Sequence, residues 1–210
     1  MKLFLASEGR NPDTIKKLSK FVGGFTGKKI AYIPTAANGE EQFGNWKTSS
    51  ATWQLVQTLG AEIISVQLED YKNSSVIEVL KNKDILWFAG GSPGYLMYWI
   101  RRCELDKALP GLLKKSIYVG SSAGSMVTSK KLNTIEWYFG EGEPGASIIP
   151  GLGLVDFDIY PHYEDSVLDY VKKHYTGNKL YLLKNGEEII VDNGKVIVQG
   201  EERIIKPPTT

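Results

Sequence analysis

Short apolar runs alternate with amphipathic segments through the first half of this chain, and that alternation restricts the fold more than any other feature. Uninterrupted apolar runs are typical of buried parallel strands, and parallel strands must be joined by crossover segments, usually helices. The pattern therefore predicts an α/β chain built around a mainly parallel sheet. The predicted strands are Lys2–Ala6, Ile30–Pro34, Ala61–Leu68, Asp84–Ala89 and Ser116–Gly120.

The segments between these strands carry helix signals. Asn11 followed by Pro12 is a well-formed helix start, and Gly60 is a stop signal for the helix before it. Thr35–Asn45 is predicted to be a polar loop. The helices that we predict after the first one cover 48–59, 74–80, 95–102 and 105–115.

The pattern changes in the C-terminal part of the chain, where β signals dominate. We predict a strand over Gly153–Tyr160 and a helix over Asp165–Tyr175. Asn-Gly pairs favour two-residue hairpin turns, so the last strands are expected to be antiparallel. The turns are Asn185-Gly186 and Asn193-Gly194, and the strands are Tyr181–Lys184, Glu188–Asp192 and Lys195–Gln199. With no repeat or linker, residues 1–210 are predicted to form a single α/β hydrolytic domain.

Charge and cysteine content exclude several classes of function. A net charge of +1 gives no electrostatic reason to expect nucleic acid or an anionic membrane as partner. The single cysteine, Cys103, rules out an internal disulfide and suits a reducing compartment. Neither a signal-peptide core nor a membrane-spanning apolar stretch is apparent. We therefore expect a cytoplasmic protein.

Gly120-Ser121-Ser122-Ala123-Gly124 matches the G-x-S-x-G pattern at the end of a predicted strand. Glycines allow the strained turn that lifts a serine hydroxyl clear of the sheet and aims the next N–H groups at a substrate. A small-residue turn without catalytic function would look similar. The strand before it and the helix expected after it favour Ser122 as a nucleophile.

A serine nucleophile needs a base, and the chain has only two histidines. His174 follows two lysines and precedes a glycine, which helix capping explains without any catalytic role. His162 follows Pro161 at the end of a predicted strand, where it could reach a turn at the same edge of the sheet. His162 is therefore our candidate base.

The Gly90-Gly91 pair follows the fourth predicted strand and could supply backbone N–H groups to an oxyanion. A phosphate-binding loop is the rival interpretation. The sequence contains neither G-x-G-x-x-G nor G-K-[ST] at this point, so nucleotide binding is disfavoured. Two histidines and one cysteine without spacing typical of ligands predict no metal and no other cofactor.

Three blocks together resemble the peptidase E group, peptidase family S51, which includes aspartyl dipeptidase and cyanophycinase. They are Phe88-Ala89-Gly90-Gly91-Ser92 with Leu96, the Ser122 turn, and Tyr160-Pro161-His162-Tyr163. The resemblance implies a three-layer α/β sandwich that is flavodoxin-like and similar to class I glutamine amidotransferase domains, here with C-terminal β-hairpins. It also implies a serine in place of their cysteine.

The resemblance further implies roles for single residues and a small peptide as substrate. Ser122 would be the nucleophile and His162 the general base, and the N–H groups of Gly91 and Ala123 would form the oxyanion hole. The family's third catalytic residue is an acid between serine and histidine, and Glu136 stands at about that position. Other acids in this interval are Glu141, Glu143, Asp156 and Asp158.

One departure from the family bears on specificity. Aspartyl dipeptidases have an arginine soon after the histidine that pairs with the substrate carboxylate. Here Glu164 and Asp165 follow instead, and no arginine occurs between Arg102 and Arg203. Acids in such a place would repel an aspartyl side chain. Cleavage of Asp-X peptides is therefore doubtful.

Alternatives stay open at this point. One is a catalytically silent member of the fold that binds a ligand or regulates a partner, and another is an esterase. A third is an interaction protein that uses exposed aromatic residues such as Trp46, Trp53 or Trp99. The sequence does not determine oligomeric state, so a homodimer also remains open.

Overall fold

The computed structural model describes residues 1–40 and 45–206. In this part of the chain, a seven-stranded sheet has the strand order β3-β2-β4-β5-β1-β8-β9, and a separate three-stranded sheet has the order β10-β7-β6. The strands of the large sheet are β1 (Lys2–Ala6), β2 (Lys29–Ile33), β3 (Glu62–Ser65), β4 (Ile85–Phe88), β5 (Ile117–Ser121), β8 (Glu188–Asp192) and β9 (Lys195–Gln199). The small sheet consists of β6 (Asp158–Tyr160), β7 (Leu180–Leu182) and β10 (Ile204–Ile205).

The first five strands of the large sheet run parallel, and β8 and β9 are antiparallel additions at one side. Successive residues of β1 alternate between two apolar cores, with Leu3 and Leu5 in one and Phe4 and Ala6 in the other. Since neighbouring strand residues face opposite sides of a sheet, helices must cover both faces. The chain is thus a three-layer α/β sandwich, as the sequence predicts.

Most of the helices that cover the sheet are short. Asn11 accepts hydrogen bonds from the first turn of α1, which begins at Pro12 as predicted. The helices are α1 (Pro12–Val22), α2 (Thr35–Asn38), α3 (Trp46–Ser49), α4 (Ala51–Val56), α5 (Leu68–Tyr71), α6 (Val76–Leu80), α7 (Pro93–Arg102), α8 (Leu105–Leu112), α9 (Ala123–Met126), α10 (Asn133–Glu136) and α11 (Leu168–His174). None of the helices in the described residues is both long enough and apolar enough to cross a membrane.

Several predicted elements are interrupted by side chains that bind backbone groups. The helix predicted over 48–59 is two short helices, because the side chains of Asn45 and Ser50 each cap a new N-terminus. The predicted loop from Thr35 contains α2, and its residues 41–44 lie outside the described residues. The predicted strand from Gly153 begins only at Asp158, since the N–H groups of residues 153–155 donate to Ser129 O and Thr128 O instead.

One of the two predicted hairpins is wrong. Asn193-Gly194 does join an antiparallel pair, β8 and β9. Asn185-Gly186 instead connects two sheets, since β7 pairs with β6 and β10 while β8 pairs with β1 and β9. The segment around Asn185 therefore passes from the small sheet to the large one.

Candidate active site

Four chain segments meet at the carboxyl edge of the large sheet. The parallel strands β1, β4 and β5 end there, and they lead into Ser7, Gly90 and Ser122. Because β8 is antiparallel to β1, its first residue, Glu188, lies at this same edge, three residues after Asn185. Segments that leave this edge of an α/β sheet commonly form its ligand site.

Ser122 occupies the sharp turn between β5 and α9, with φ 49° and ψ −111°. The turn is held because Ser122 N donates to Ala6 O at 3.0 Å. Close packing excludes side chains at both glycines of the motif. A Cβ on Gly120 would lie 2.5 Å from Gly124 O, and one on Gly124 would lie 2.2 Å from Phe88 O. The absence of a Cβ at both glycines therefore allows the Ser122 turn to pack closely, with Gly124 against the backbone of β4.

The hydroxyl of Ser122 faces the imidazole of His162. Ser122 Oγ and His162 Nε2 are 3.0 Å apart, and the other ring nitrogen, Nδ1, lies 2.7 Å from Asn185 Oδ1. Asn185 Oδ1 is an acceptor, so the single proton of the neutral ring belongs on Nδ1. That tautomer leaves the Nε2 lone pair free to accept the proton of Ser122.

Glu136 does not occupy the position expected of the third member. It ends α10, and its Oε2 accepts from Ser147 N at 3.0 Å. Hydrogen bonds from Ser147 lower the pKa of this carboxyl below its usual value. The ring of His162 is instead oriented by Asn185, which follows the histidine in the chain rather than preceding it. This corrects the expectation from sequence.

The predicted oxyanion donors lie on the turns that flank Ser122. Among the described residues, neither Gly91 N–H nor Ala123 N–H has a hydrogen-bond acceptor, so both remain available to a ligand. Gly91 has φ 132°, and a Cβ there would lie 2.2 Å from Ala36 O. Only glycine fits this position. The helix expected after the elbow is a single turn, α9, so individual N–H groups rather than a helix dipole would act on the oxyanion.

Comparison with known proteins identifies the family. The sequence model of peptidase family S51 matches residues 3–199. The chain belongs to peptidase family S51. Family S51 is a family of serine peptidases, which makes this chain a serine peptidase.

Two relatives of this S51 chain share about a quarter of their aligned residues with it. An uncharacterized peptidase of Listeria monocytogenes is 24% identical over 204 residues, covering 94% of this chain and 97% of the relative. The peptidase E of Nostoc sp. strain PCC 7120 is 28% identical over 156 residues, covering 73% of this chain and 59% of the relative.

Solved structures share the S51 fold. A Listeria monocytogenes EGD-e protein described as peptidase E superposes with a TM-score of 0.76 at 24% identity, covering 94% of this chain and 97% of that one. A peptidase from an acI-B1 actinobacterium gives a TM-score of 0.70 at 20% identity, with coverage of 99% and 95%. These likenesses agree with the predicted class I glutamine amidotransferase-like fold, which is confirmed.

In this S51 chain, Ser122 and His162 line a cavity of about 320 Å³. Of the described residues, four glutamates and one arginine contribute charge to its lining: Glu8, Glu40, Glu141, Glu143 and Arg10. Burial raises the pKa of the lining residue Tyr32 to about 12, and burial also raises the pKa of Tyr138. Both phenols are therefore neutral near pH 7. The net charge of the described lining residues is negative, because four glutamates face one arginine.

Arg10, Glu8 and Glu143 each have a polar partner among the described residues. Arg10 pairs with Glu8, which offsets one negative charge. Glu143 accepts from Ser92 Oγ at 2.7 Å and from Gly94 N at 3.0 Å, next to the Gly91 turn. Glu141 is exposed at the cavity, and its charge contributes to the raised pKa of Tyr138.

Three other residues considered in the sequence analysis, His174, Asp165 and Trp46, make contacts within the fold rather than with Ser122 or His162. His174 ends α11, where its Nδ1 lies 2.8 Å from Tyr170 O and its ring stacks on Trp137. Asp165 pairs with Lys184 at 2.7 Å. Trp46 is only 3% exposed and packs edge-on against Trp53, which argues against an aromatic interaction patch there.

No group of three or more His, Cys, Asp or Glu residues suited to a metal ion occurs in residues 1–40 and 45–206. Cys103 is buried, away from the elbow, and burial raises the pKa of its thiol. Sequence reasoning missed Asn185, which looked like a turn residue. Asn185 is brought to the elbow by the antiparallel pairing of β8 with β1, and the local sequence around Asn185 does not indicate that pairing.

Proposed function

We propose that this S51 peptidase hydrolyses short peptides through an acyl-enzyme on Ser122. The observation that carries the proposal is the 3.0 Å separation of Ser122 Oγ and His162 Nε2 at the mouth of one cavity. Hydrogen-bond distance between a hydroxyl and a base with a free lone pair is the arrangement that nucleophilic catalysis requires.

In the proposed cycle, His162 Nε2 accepts the Ser122 proton while Oγ attacks the peptide carbonyl. The N–H groups of Gly91 and Ala123 donate to the resulting oxyanion. The imidazolium then gives its proton to the departing amine, which leaves an ester on Ser122. Water, deprotonated by the same ring, attacks this ester. The bond between the acyl carbon and Oγ then breaks, the ring returns the proton to Ser122 Oγ, and the acid product leaves.

Asn185 acts as the orienting member of the triad. Its Oδ1, 2.7 Å from Nδ1, fixes the ring and the tautomer as a carboxylate would. A neutral amide stabilises the imidazolium less than a carboxylate does, and Cys-His-Asn peptidases show that catalysis proceeds with such a residue. An acid between serine and histidine is then not required.

A fluorophosphonate probe tests the proposal directly, since it reacts with an activated serine and not with ordinary hydroxyls. We expect one equivalent of label on Ser122, located by peptide mass spectrometry, and loss of peptide hydrolysis in proportion to labelling. Absence of label together with absence of hydrolysis of any peptide or ester would instead indicate a catalytically silent ligand-binding member.

The size and charge of the cavity favour short substrates that have no acidic side chain beside the scissile bond. A volume of about 320 Å³ is at the lower end of small-molecule sites. Among the lining residues that the structure describes, glutamates outnumber arginine, and Arg10 is paired with Glu8. From these described residues a substrate carboxylate would meet like charge, and the one arginine among them is already paired.

A dipeptide panel checks this specificity. We expect kcat/KM for Lys-X dipeptides to exceed that for Asp-X dipeptides by about tenfold or more, roughly 1.4 kcal/mol of differential binding. Glu141→Gln should reduce this ratio by about threefold, as expected for an exposed charge. The matched control is Glu164→Gln. The sequence suggested Glu164 as a source of repulsion, but this exposed glutamate lies outside the cavity lining, so the variant should leave the ratio unchanged. Preferential cleavage of Asp-X would contradict the expectation.

A further inference from the structure

We infer that Ser7 is a positioning residue that holds the His162 base against Ser122, an inference that rests on the proposed function. Ser7 directly follows β1 and is 0% exposed. Its Oγ accepts from His162 N at 2.7 Å, and it lies 3.1 Å from Leu183 O and 3.3 Å from Asn185 Oδ1.

The contacts of this hydroxyl use its one proton and one of its two lone pairs. A serine hydroxyl has one proton and two lone pairs. One lone pair receives the His162 N–H, and the proton is given to Leu183 O or Asn185 Oδ1. Ser7 therefore touches both the backbone of the base and the residue that orients its ring.

Ser7 also connects the two sheets that carry the proposed catalytic groups. Ser122 follows β5 of the large sheet, whereas His162 follows β6 of the small one. Ser7 lies at the end of the large sheet, because it directly follows β1 and its N–H donates to the O atom of Glu187, directly before β8. Its bond to His162 N is thus a direct link from one sheet to the other, beside the place where nucleophile and base meet.

The backbone of His162 needs such a link. His162 has φ 51°, a left-handed conformation that costs a non-glycine residue energy. A strained residue keeps its conformation only when its surroundings fix it. The Ser7 hydroxyl supplies one such restraint at the nitrogen that defines this angle.

Kinetics of Ser7→Ala test the inference. We expect kcat to fall about 10- to 100-fold because the ring shifts from its productive position, while KM changes by less than about twofold. Ser116→Ala is the matched control: Ser116 is a buried serine whose Oγ donates to Lys83 O, at the opposite edge of the sheet. It should lose stability without this loss in kcat.

A double-mutant cycle separates positioning from general stabilisation. Asn185→Ala should lower kcat by a similar factor, and Ser7→Ala/Asn185→Ala should be little worse than either single variant, since both act through the same ring. Additive losses would overturn the inference, as would an unchanged kcat in Ser7→Ala. Ser7→Cys, which is close to serine in size and a weak acceptor, serves as the second variant if Ser7→Ala does not fold.

The tautomer of His162 gives a readout that does not depend on turnover. Only two histidines are present, so ¹⁵N-detected ring signals can be assigned with a His174→Asn variant. We expect the Nδ1–H form in the wild type and a mixture of tautomers in Ser7→Ala or Ser7→Cys. An unchanged tautomer in those variants would overturn the positioning role. Failure of the wild type to label or hydrolyse would instead count against the proposed function.

Discussion

Ser122→Ala should lower kcat/KM for peptide hydrolysis by about 10⁴- to 10⁶-fold, the range seen when a catalytic serine is removed. The substitution deletes one oxygen, whose side-chain hydrogen bond is to His162. The strained turn is held by backbone contacts such as Ser122 N to Ala6 O, and those remain. Circular dichroism and the midpoint of thermal unfolding should therefore match the wild type.

The neighbouring serine provides the control for this result. Ser121 Oγ accepts from the indole of Trp87 at 3.0 Å in the buried part of the same turn. Ser121→Ala should continue to react with a fluorophosphonate, although it loses a buried hydrogen bond. Turnover by a folded Ser122→Ala protein close to that of the wild type would exclude the acyl-enzyme mechanism.

His162→Asn is expected to lower kcat by about 10³-fold or more, because the variant has no base at hydrogen-bond distance from Ser122 Oγ. Asparagine is chosen since it tolerates the left-handed backbone of this position better than alanine does. Steady-state kinetics with a dipeptide substrate measure the loss. His174→Asn should keep near wild-type kcat, because that ring packs on Tyr170 and Trp137.

The double variant carries the sharper test of His162. A nucleophile and its base act as one unit, so Ser122→Ala/His162→Asn should be no slower than Ser122→Ala alone. If the two losses multiplied, Ser122 and His162 would be acting independently, and the proposed proton transfer between them would be wrong.

The parallel core could be predicted because its signals are local. The runs around Phe4, Ala31, Leu86 and Val119 are apolar on both faces, which only a doubly covered sheet accommodates. The start of α1 was equally local, since Asn11 and Pro12 define it together. Helix lengths were less predictable, because single side chains such as Ser50 cap new helices inside an otherwise periodic segment.

Residues of the candidate site could be predicted from the sequence only where a single short segment contains the motif that indicates them. The elbow at Ser122 and the glycine pair at Gly91 depend on adjacent residues, so their positions follow from the sequence. Asn185 reaches His162 because β8 joins β1 and β7 joins β6. Those pairings are long-range, and an Asn-Gly pair taken alone indicates a hairpin. The prediction of Glu136 depends on its distance along the chain from Ser122, which does not determine distance in space.

The division of the proposed nucleophile and base between two sheets links activity to local opening. Strands β6, β7 and β10 contain three, three and two residues, so the small sheet has few interstrand bonds to lose. Subglobal openings of such units cost less free energy than global unfolding. On heating, the imidazole would then leave the hydroxyl while the seven-stranded core is still intact. The temperature at which activity is lost would then reflect unfolding of the small sheet, and it would be lower than the temperature of the calorimetric transition of the whole chain.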